Sequence, residues 1–479
     1  MADVTSSSSA TPPTPSTSAG PSPTPPPPPS EALWGKQTEL ATRHFVIGGD
    51  TVPEPLLRAL IQLKAAAAVA NARLGRLEQP VAAAIQAACE ELLAQAALPA
   101  QFPLSPWQSG SMTQSHMNVN EVLATMAGRR CGRAVHPNDE VNLGQSSNDM
   151  VPSAMHLAAL TAVQRSLLPP LREALATLQE QQGRHAGVLK LGRTHLQDAV
   201  PMPFAGEIGA WAAALRQATH GIEASLPALT DLAVGGTAVG TGLNTHPSFA
   251  VNVCAELSER LGTTLRPAAD RYAALAGHEP LVALHGALKV LAVALMRIAN
   301  DMRLLASGPR GGFGELSLPE NEPGSSIMPG KVNPTQCEAM VMICAQVFGN
   351  DVAVTTGAAA GHLQLNTCKP LIAMNVLRSV RLLADGVRSF DHHALRGMAA
   401  DARRMDELLR GSLMLVTALT PHIGYDRAAR IALAAHHQRT TLREAALADG
   451  IAAADFDRWA DPAAMVPLEQ GPPPEKPIA

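Results

Sequence analysis

Aromatic residues are scarce in this chain, at 3% of 479 positions, and runs of β-branched residues are few, so extended sheets have little to build on. Alanine and leucine are abundant, which favours packed helices and a mainly α protein. No basic patch offsets the net charge of −4, and no Lys/Arg cluster is interleaved with aromatics, so nucleic acid is not an indicated partner. An anionic ligand must therefore be attracted locally. No uninterrupted apolar run approaches the roughly 18 residues of a membrane span. The six cysteines (Cys89, Cys131, Cys254, Cys337, Cys344, Cys368) are scattered without a C-x-x-C pair. Neither a disulfide framework nor a zinc site is indicated, and a reducing, cytoplasmic setting fits. A hydrophobic content of 46% is enough for a large core, and the length suggests about three domains.

Residues 1–30 carry ten prolines with many Ser and Thr and no Lys or Arg, the composition of a disordered tail rather than a transit peptide. Pro-rich sequence returns after about Val466, so the folded part is expected between those limits. Leu281, Leu284, Leu288, Leu291, Leu295, Ile298, Met302 and Leu305 follow an unbroken 3-4 spacing that ends at Ser307-Gly308-Pro309, a heptad seam. Ile208, Trp211, Leu215, Ile222 and Leu226 form a second helical stripe, interrupted late by Pro227. The centre of the chain reads as a helical bundle, and long helices of this kind often assemble subunits.

Four polar clusters interrupt this background. The run from Gly324 to Pro334 places Ser325, Ser326, Lys331 and Asn333 between glycines, and such a segment can move over a ligand. Its plainer reading is a surface turn in which Asn333 caps a helix begun by Pro334 and Gln336 completes a capping box. Ser111-Met112-Thr113-Gln114-Ser115 leads into a helix expected from Met117 to Ala127, and Gln145-Ser146-Ser147-Asn148-Asp149 leads into another. Helix N-termini favour anions, so three converging ones would make a carboxylate site. The fourth cluster, Gly192 to Asp198, supplies His195, a residue type suited to proton transfer near neutral pH. Glu338 could hold that histidine in one tautomer. No nucleotide loop, metal-ligand set or nucleophile elbow stands out, since Gly235 to Gly240 lacks the Lys-Ser/Thr of a phosphate loop. What remains is cofactor-free chemistry on a small acid. Proton removal beside a carboxylate needs preorganised donors such as Lys331, Asn333 and Thr113.

With these residues in place, nearly the whole chain between the two tails resembles the class II, iron-independent fumarases of the aspartase/fumarase superfamily. The likeness runs from Leu33-Trp34-Gly35 through Phe102-Pro103-Leu104, Ser111 to Val122, His136 to Asp139, the Ser146 cluster, Gly192 to Asp198, Gly235 to Pro247 and Gly324 to Met340, to Gly424-Tyr425-Asp426. The pair Thr194-His195 resembles fumarases, since aspartases carry glutamine at the histidine position. The resemblance implies a three-domain fold: an N-terminal lyase domain at 31–146, a central long-helix bundle at 147–400 with a mobile loop near 320–333, and a small helical domain at 401–466. It also implies a homotetramer with a twenty-helix core whose sites combine three subunits. The implied reaction is reversible hydration of fumarate to L-malate without metal or cofactor.

Carried over by position, Ser325 resembles the base that takes the C3 proton of malate. Ser111, Thr113, Ser146, Ser147, Asn148, Thr194, Ser326, Lys331 and Asn333 would hold substrate, and His195 with Glu338 would handle the departing water. Arg133, His136, Asn138 and Asp139 resemble the family's second dicarboxylate site. Met112 and Gly144 depart from the family's usual Ser-Gly-Thr and Ser-Gln-Ser-Ser-Asn, and the segment between Glu121 and His136 is shorter than usual. Met112 raises two expectations, a crowded carboxylate pocket or a backbone shape that glycine reaches more easily. Two alternatives stay open: a silent structural homologue, or a related lyase acting on aspartate, argininosuccinate or adenylosuccinate.

Overall fold

The computed structural model describes residues 32–98 and 100–466; the Pro-rich tails expected at 1–30 and 467–479 lie outside the described residues. The chain is built of helices: α1 (Lys36–His44), α2 (Glu54–Arg73), α3 (Gln79–Leu93), α4 (Thr113–Cys131), α5 (Ser147–Ala162), α6 (Leu168–Arg184), α7 (Phe204–Ser225), α8 (Phe249–Leu261), α9 (Arg271–Ala276), α10 (Glu279–Leu305), α11 (Thr335–Ala359) and α12 (Lys369–Phe390). Between α6 and α7 a hairpin pairs β1 (Leu189–Thr194) with β2 (Gln197–Pro203).

The heptad seam is the inner face of α10, and all eight of its side chains are buried. Truncating one of them to alanine would cost about 2–5 kcal/mol. Helix α10 packs on α7 and α11, α11 packs on α12, and α12 reaches back to α5 and α6. The second stripe forms the buried face of α7, and Pro227 follows where the helix tightens into a 3₁₀ turn at Leu226–Thr230. One hydrophobic core is continuous from Val52 to Met405. A smaller one joins Leu409 to Ala460 with Leu191 of β1, which ties the C-terminal helices to the base of the hairpin.

By length and composition, α10 and α11 are apolar enough to cross a membrane, although the sequence has no uninterrupted apolar run of that length. Half of the most apolar stretch of α10 and a third of that of α11 are buried inside this bundle. Val290, Val293 and Leu304 of α10 and Met342 and Val352 of α11 remain exposed.

Candidate active site

Two of the polar clusters meet within the chain. The Ser111 and Thr113 hydroxyls are 2.8 Å apart, and Thr113 Oγ1 lies 3.1 Å from Ser147 Oγ. Thr113 and Ser147 are the first residues of α4 and α5, so this chain of hydroxyls joins two helix N-termini, where free N–H groups and the dipole attract an anion. Helix α4 starts four residues before the expected Met117, because Met112 takes a left-handed conformation (φ 60°, ψ 28°) that turns the chain into the helix at Thr113. The side chain of Met112 is fully buried in the core, at 0% exposure. Of the two expectations for this departure, the backbone one holds and the crowded pocket does not. Gly144 also has a local reason: its φ is +70°, and a Cβ there would stand 2.9 Å from Thr245 Oγ1.

At α5 the N-cap reading holds. The Ser146 side chain accepts from the Asn148 N–H at 3.2 Å, while Asp149 Oδ1 accepts from the Ser146 N–H at 2.9 Å. Asp149 Oδ2 accepts from the N–H groups of Gly235 (2.9 Å) and Thr237 (3.1 Å), and Asn148 Nδ2 donates to Ala238 O at 2.9 Å. The glycine-rich Gly235–Gly240 segment is therefore part of the floor of this site. Burial raises the Asp149 carboxyl to about 6 against the three N–H donors that favour its anion. Lys64 of α2 lies behind it, fully buried, and Asp149 partly offsets the burial that brings its ammonium down to about 7. Lys64 was absent from the residues singled out by motif. Its signal was a lone charge between Arg58 and Arg73 in an Ala/Leu-rich helix.

Thr194 and His195 stand at the exposed tip of the hairpin. His195 and Leu196 both have positive φ, 56° and 61°, the two-residue turn whose twist matches antiparallel strands, and Leu196 is 66% exposed. The tip is braced from below by Arg193, which donates two 2.9 Å hydrogen bonds to the buried Glu315.

The Gly324–Pro334 loop is a separate, exposed element. Its neck is closed by Gly324 N–H to Lys331 O (3.1 Å) and by Asn333 Nδ2 to Gly324 O (2.5 Å). A Cβ on Gly324 would lie 2.1 Å from Lys331 O, so only glycine fits there. Asn333 does not cap α11, which begins at Thr335 without a side-chain cap, and Gln336 accepts from Ser389 Oγ instead of closing a capping box. The capped-turn reading is thereby corrected: Asn333 faces back into the loop it closes. Ser325 Oγ accepts from the N–H groups of Ile327 (3.3 Å) and Met328 (3.1 Å). Ser326, Lys331 and Glu338 are exposed. Among the described residues, no hydrogen bond or ion pair joins the loop, His195 and the Thr113–Ser147 pair to one another, or His195 to Glu338.

The residues expected to form a second dicarboxylate site are close in space. His136 Nδ1 accepts from the Asp139 N–H at 3.0 Å, Pro137, Asn138 and Asp139 open the short turn Pro137–Val141, and Arg133 is bidentate to Glu140 at 2.7 and 3.3 Å. That hydrogen bond to Arg133 is the main reason Glu140 is held below the usual carboxylate range. The guanidinium is thus already matched by a carboxylate that the sequence reading did not single out. Among the described residues, Glu173, Asp391 and His392 form a grouping with metal-ligand character. Arg396 already bridges its carboxylates, at 2.7 Å from Asp391 and 3.8 Å from Glu173.

Long-helix packing with hydroxyls at helix N-termini, an exposed histidine hairpin and a glycine-necked Ser-Lys-Asn loop define a lyase of the aspartase/fumarase architecture. A profile of the lyase family matches residues 28–349, and one of the fumarase C C-terminus matches 415–467. Among curated relatives, the class II fumarate hydratase of Chromobacterium violaceum is 58% identical over 442 residues, 91% of this chain and 96% of the relative. A class II fumarate hydratase of Pseudomonas aeruginosa is 53% identical over 92% of this chain and 96% of its own length. The crystal structure of a class II fumarase from Schistosoma mansoni superposes with a TM-score of 0.88 at 41% identity, covering 91% of this chain and 96% of that one. The chain belongs to the lyase family and, within it, to the class II fumarate hydratases.

Proposed function

We propose that this chain carries out the reversible hydration of fumarate to L-malate, a step of the tricarboxylic acid cycle, as a cytoplasmic homotetramer. The observation that carries the reading is the Thr113–Ser147 contact, which fuses two helix N-termini into one carboxylate-binding surface. Ser111, Ser146, Asn148 and Thr194 supplement it. In the malate-to-fumarate direction Ser325 removes the C3 proton, and the adjacent carboxylate, made dianionic and enolate-like, is held by Lys331 and Asn333, with Ser326 beside them. The loop suits a serine base: two backbone N–H groups already point at Ser325 Oγ, and such donors favour an alkoxide. His195, paired with Glu338, then gives a proton to the departing hydroxyl, which leaves as water.

Because these elements do not touch within one chain, assembly must bring them together. The exposed valines of α10 and the exposed Met342 and Val352 of α11 supply an apolar surface for it. The second dicarboxylate site of Arg133, His136, Asn138 and Asp139 remains part of this proposal. Free cysteines at all six positions suit a reducing compartment. The test is loss of the fumarate ultraviolet absorbance by purified protein in the presence of a chelator. Turnover is expected, and its absence at high protein concentration would overturn the reading.

A further inference from the structure

Lys64 occupies a position from which it can act on the substrate surface without touching it. Its Nζ donates at 2.8 Å to both Asn142 Oδ1 and Gln145 Oε1. Those two side chains shape the turn that enters α5: Asn142 Nδ2 donates to Gln145 O at 3.2 Å, and Gln145 Nε2 donates to Val141 O at 3.2 Å. Asp149 completes the brace from the other side, through Ser146, Gly235 and Thr237. The segment Asn142–Asp149 is therefore held from within by one buried cation and one buried carboxylate.

We propose that Lys64 is a positioning residue of the dicarboxylate site: its buried ammonium fixes the Asn142–Gln145 turn and sets a positive charge behind the helix N-terminus that presents Ser146, Ser147 and Asn148. This inference rests on the fumarate hydratase reading. A cation sealed under the helix start adds to the dipole and is screened far less than a surface lysine. The titratable and charged groups around it are Asp149 from α5, Cys89 from α3 and His116 from α4, with Glu90 of α3 and Arg260 of α8 acting on Cys89. Burial pushes the Cys89 thiol up to about 12 and the His116 imidazole well below its ordinary value, so neither changes charge near neutrality. Burial brings Lys64 to about 7, so it discharges as pH rises from there, above the range near 6 in which Asp149 takes up its negative charge. A neutral amine still donates two hydrogen bonds, so the turn persists while the charge behind it is lost.

The experiment is steady-state kinetics with fumarate at pH about 6 to 9, on the wild type and on Lys64→Met. For the wild type, KM should rise about tenfold across that range, the scale of one unit charge at roughly 10 Å in a protein dielectric of about 20, with little change in kcat from this cause. In Lys64→Met, KM should be high at every pH and the step above pH about 7 should be gone, leaving only the ionisation of Asp149 nearer 6. A step that survives the substitution, or a flat wild-type KM, overturns the proposal. A wild type without fumarate turnover instead overturns the reading it rests on. Should Lys64→Met fail to fold, Gln145→Glu serves: a carboxylate on Nζ retains the proton, so the KM step should move to higher pH, and an unmoved step overturns the proposal.

Discussion

The Thr113–Ser147 surface and the Ser325–Asn333 loop carry comparable polar side chains but are built in opposite ways. The first rests on buried charge: Asp149 and Lys64 are fully buried and hold its backbone through N–H and amide groups. The second is tied at its neck and by the N–H groups that reach Ser325 Oγ, and its middle is open, with Ile327 82% exposed. The contrast separates two tasks. On the proposed reading, groups that bind the carboxylate are fixed before substrate arrives, whereas the groups assigned to proton transfer sit on exposed elements that assembly and closure would complete.

The sharpest way to break this comparison is to remove the reacting group and leave the surface. Ser325→Ala should lower kcat by about 10²–10⁴-fold while fumarate affinity changes little, because a base acts in the transition state. A change confined to KM would assign Ser325 to binding and erase the distinction. Asp149→Ala attacks the other side. It leaves three N–H donors and the Lys64 ammonium without their buried partner, so a loss of about 3–5 kcal/mol in denaturant unfolding is expected. A mild loss would mean that the floor is less dependent on buried charge than the geometry indicates.

Met112 offers an intermediate effect. Its left-handed backbone costs about 1–2 kcal/mol, which glycine would relieve, but its buried side chain leaves a cavity worth about 2–5 kcal/mol when removed. The larger number wins, so Met112→Gly should be less stable by about 1–3 kcal/mol, with activity retained because the side chain lies in the core rather than the pocket. A stabilised variant would show that backbone strain dominates here.

Lys64 also makes a stability prediction, with a definite sign. Its folded pKa, about 7, lies below the unfolded value, so the stability linked to its neutral form is present above the unfolded pKa and is lost as pH falls toward 7. Asp149, raised to about 6, works the other way and loses its linked stability as pH rises from the ordinary carboxylate range toward 6. From pH about 7 to 9 the wild type should therefore gain thermal stability relative to Lys64→Met, even as its KM worsens. A gap in Tm that does not move with pH would contradict a buried ammonium.

Much of the scaffold was legible because periodicity reports burial directly: the α10 seam from Leu281 to Leu305 and the α7 stripe needed only spacing. The cap at Ser146 was legible for a similar reason, since its partners are two and three residues away. Other features depended on contacts that spacing does not encode. Met112 delays nothing in composition, yet its left-handed turn starts α4 at Thr113. Asn333 had the composition of a cap but found Gly324 O across a loop, nine residues back. Lys64 meets Asn142 and Gln145 across 78 and 81 residues, so no local pattern could announce it beyond its isolation in an apolar helix.

The smallest effect belongs to the surface at Arg133, which tests whether exposed charge can do what buried charge does at Ser147. Its guanidinium faces Glu140 at 2.7 Å and Glu78 at 3.7 Å, so a dicarboxylate arriving there must displace a partner already in place. Glu140→Gln removes the closer competitor but also the acceptor of the His136 N–H, which the amide oxygen can replace. Dicarboxylate binding at this surface should therefore tighten, by less than about fivefold given how little an exposed ion pair contributes, and the gain should fade with added salt. The kcat at the Thr113–Ser147 surface should stay put. Equilibrium binding of malate at two ionic strengths reads both effects, and weaker binding in Glu140→Gln would mean that Glu140 orients Arg133 toward the ligand instead of competing with it.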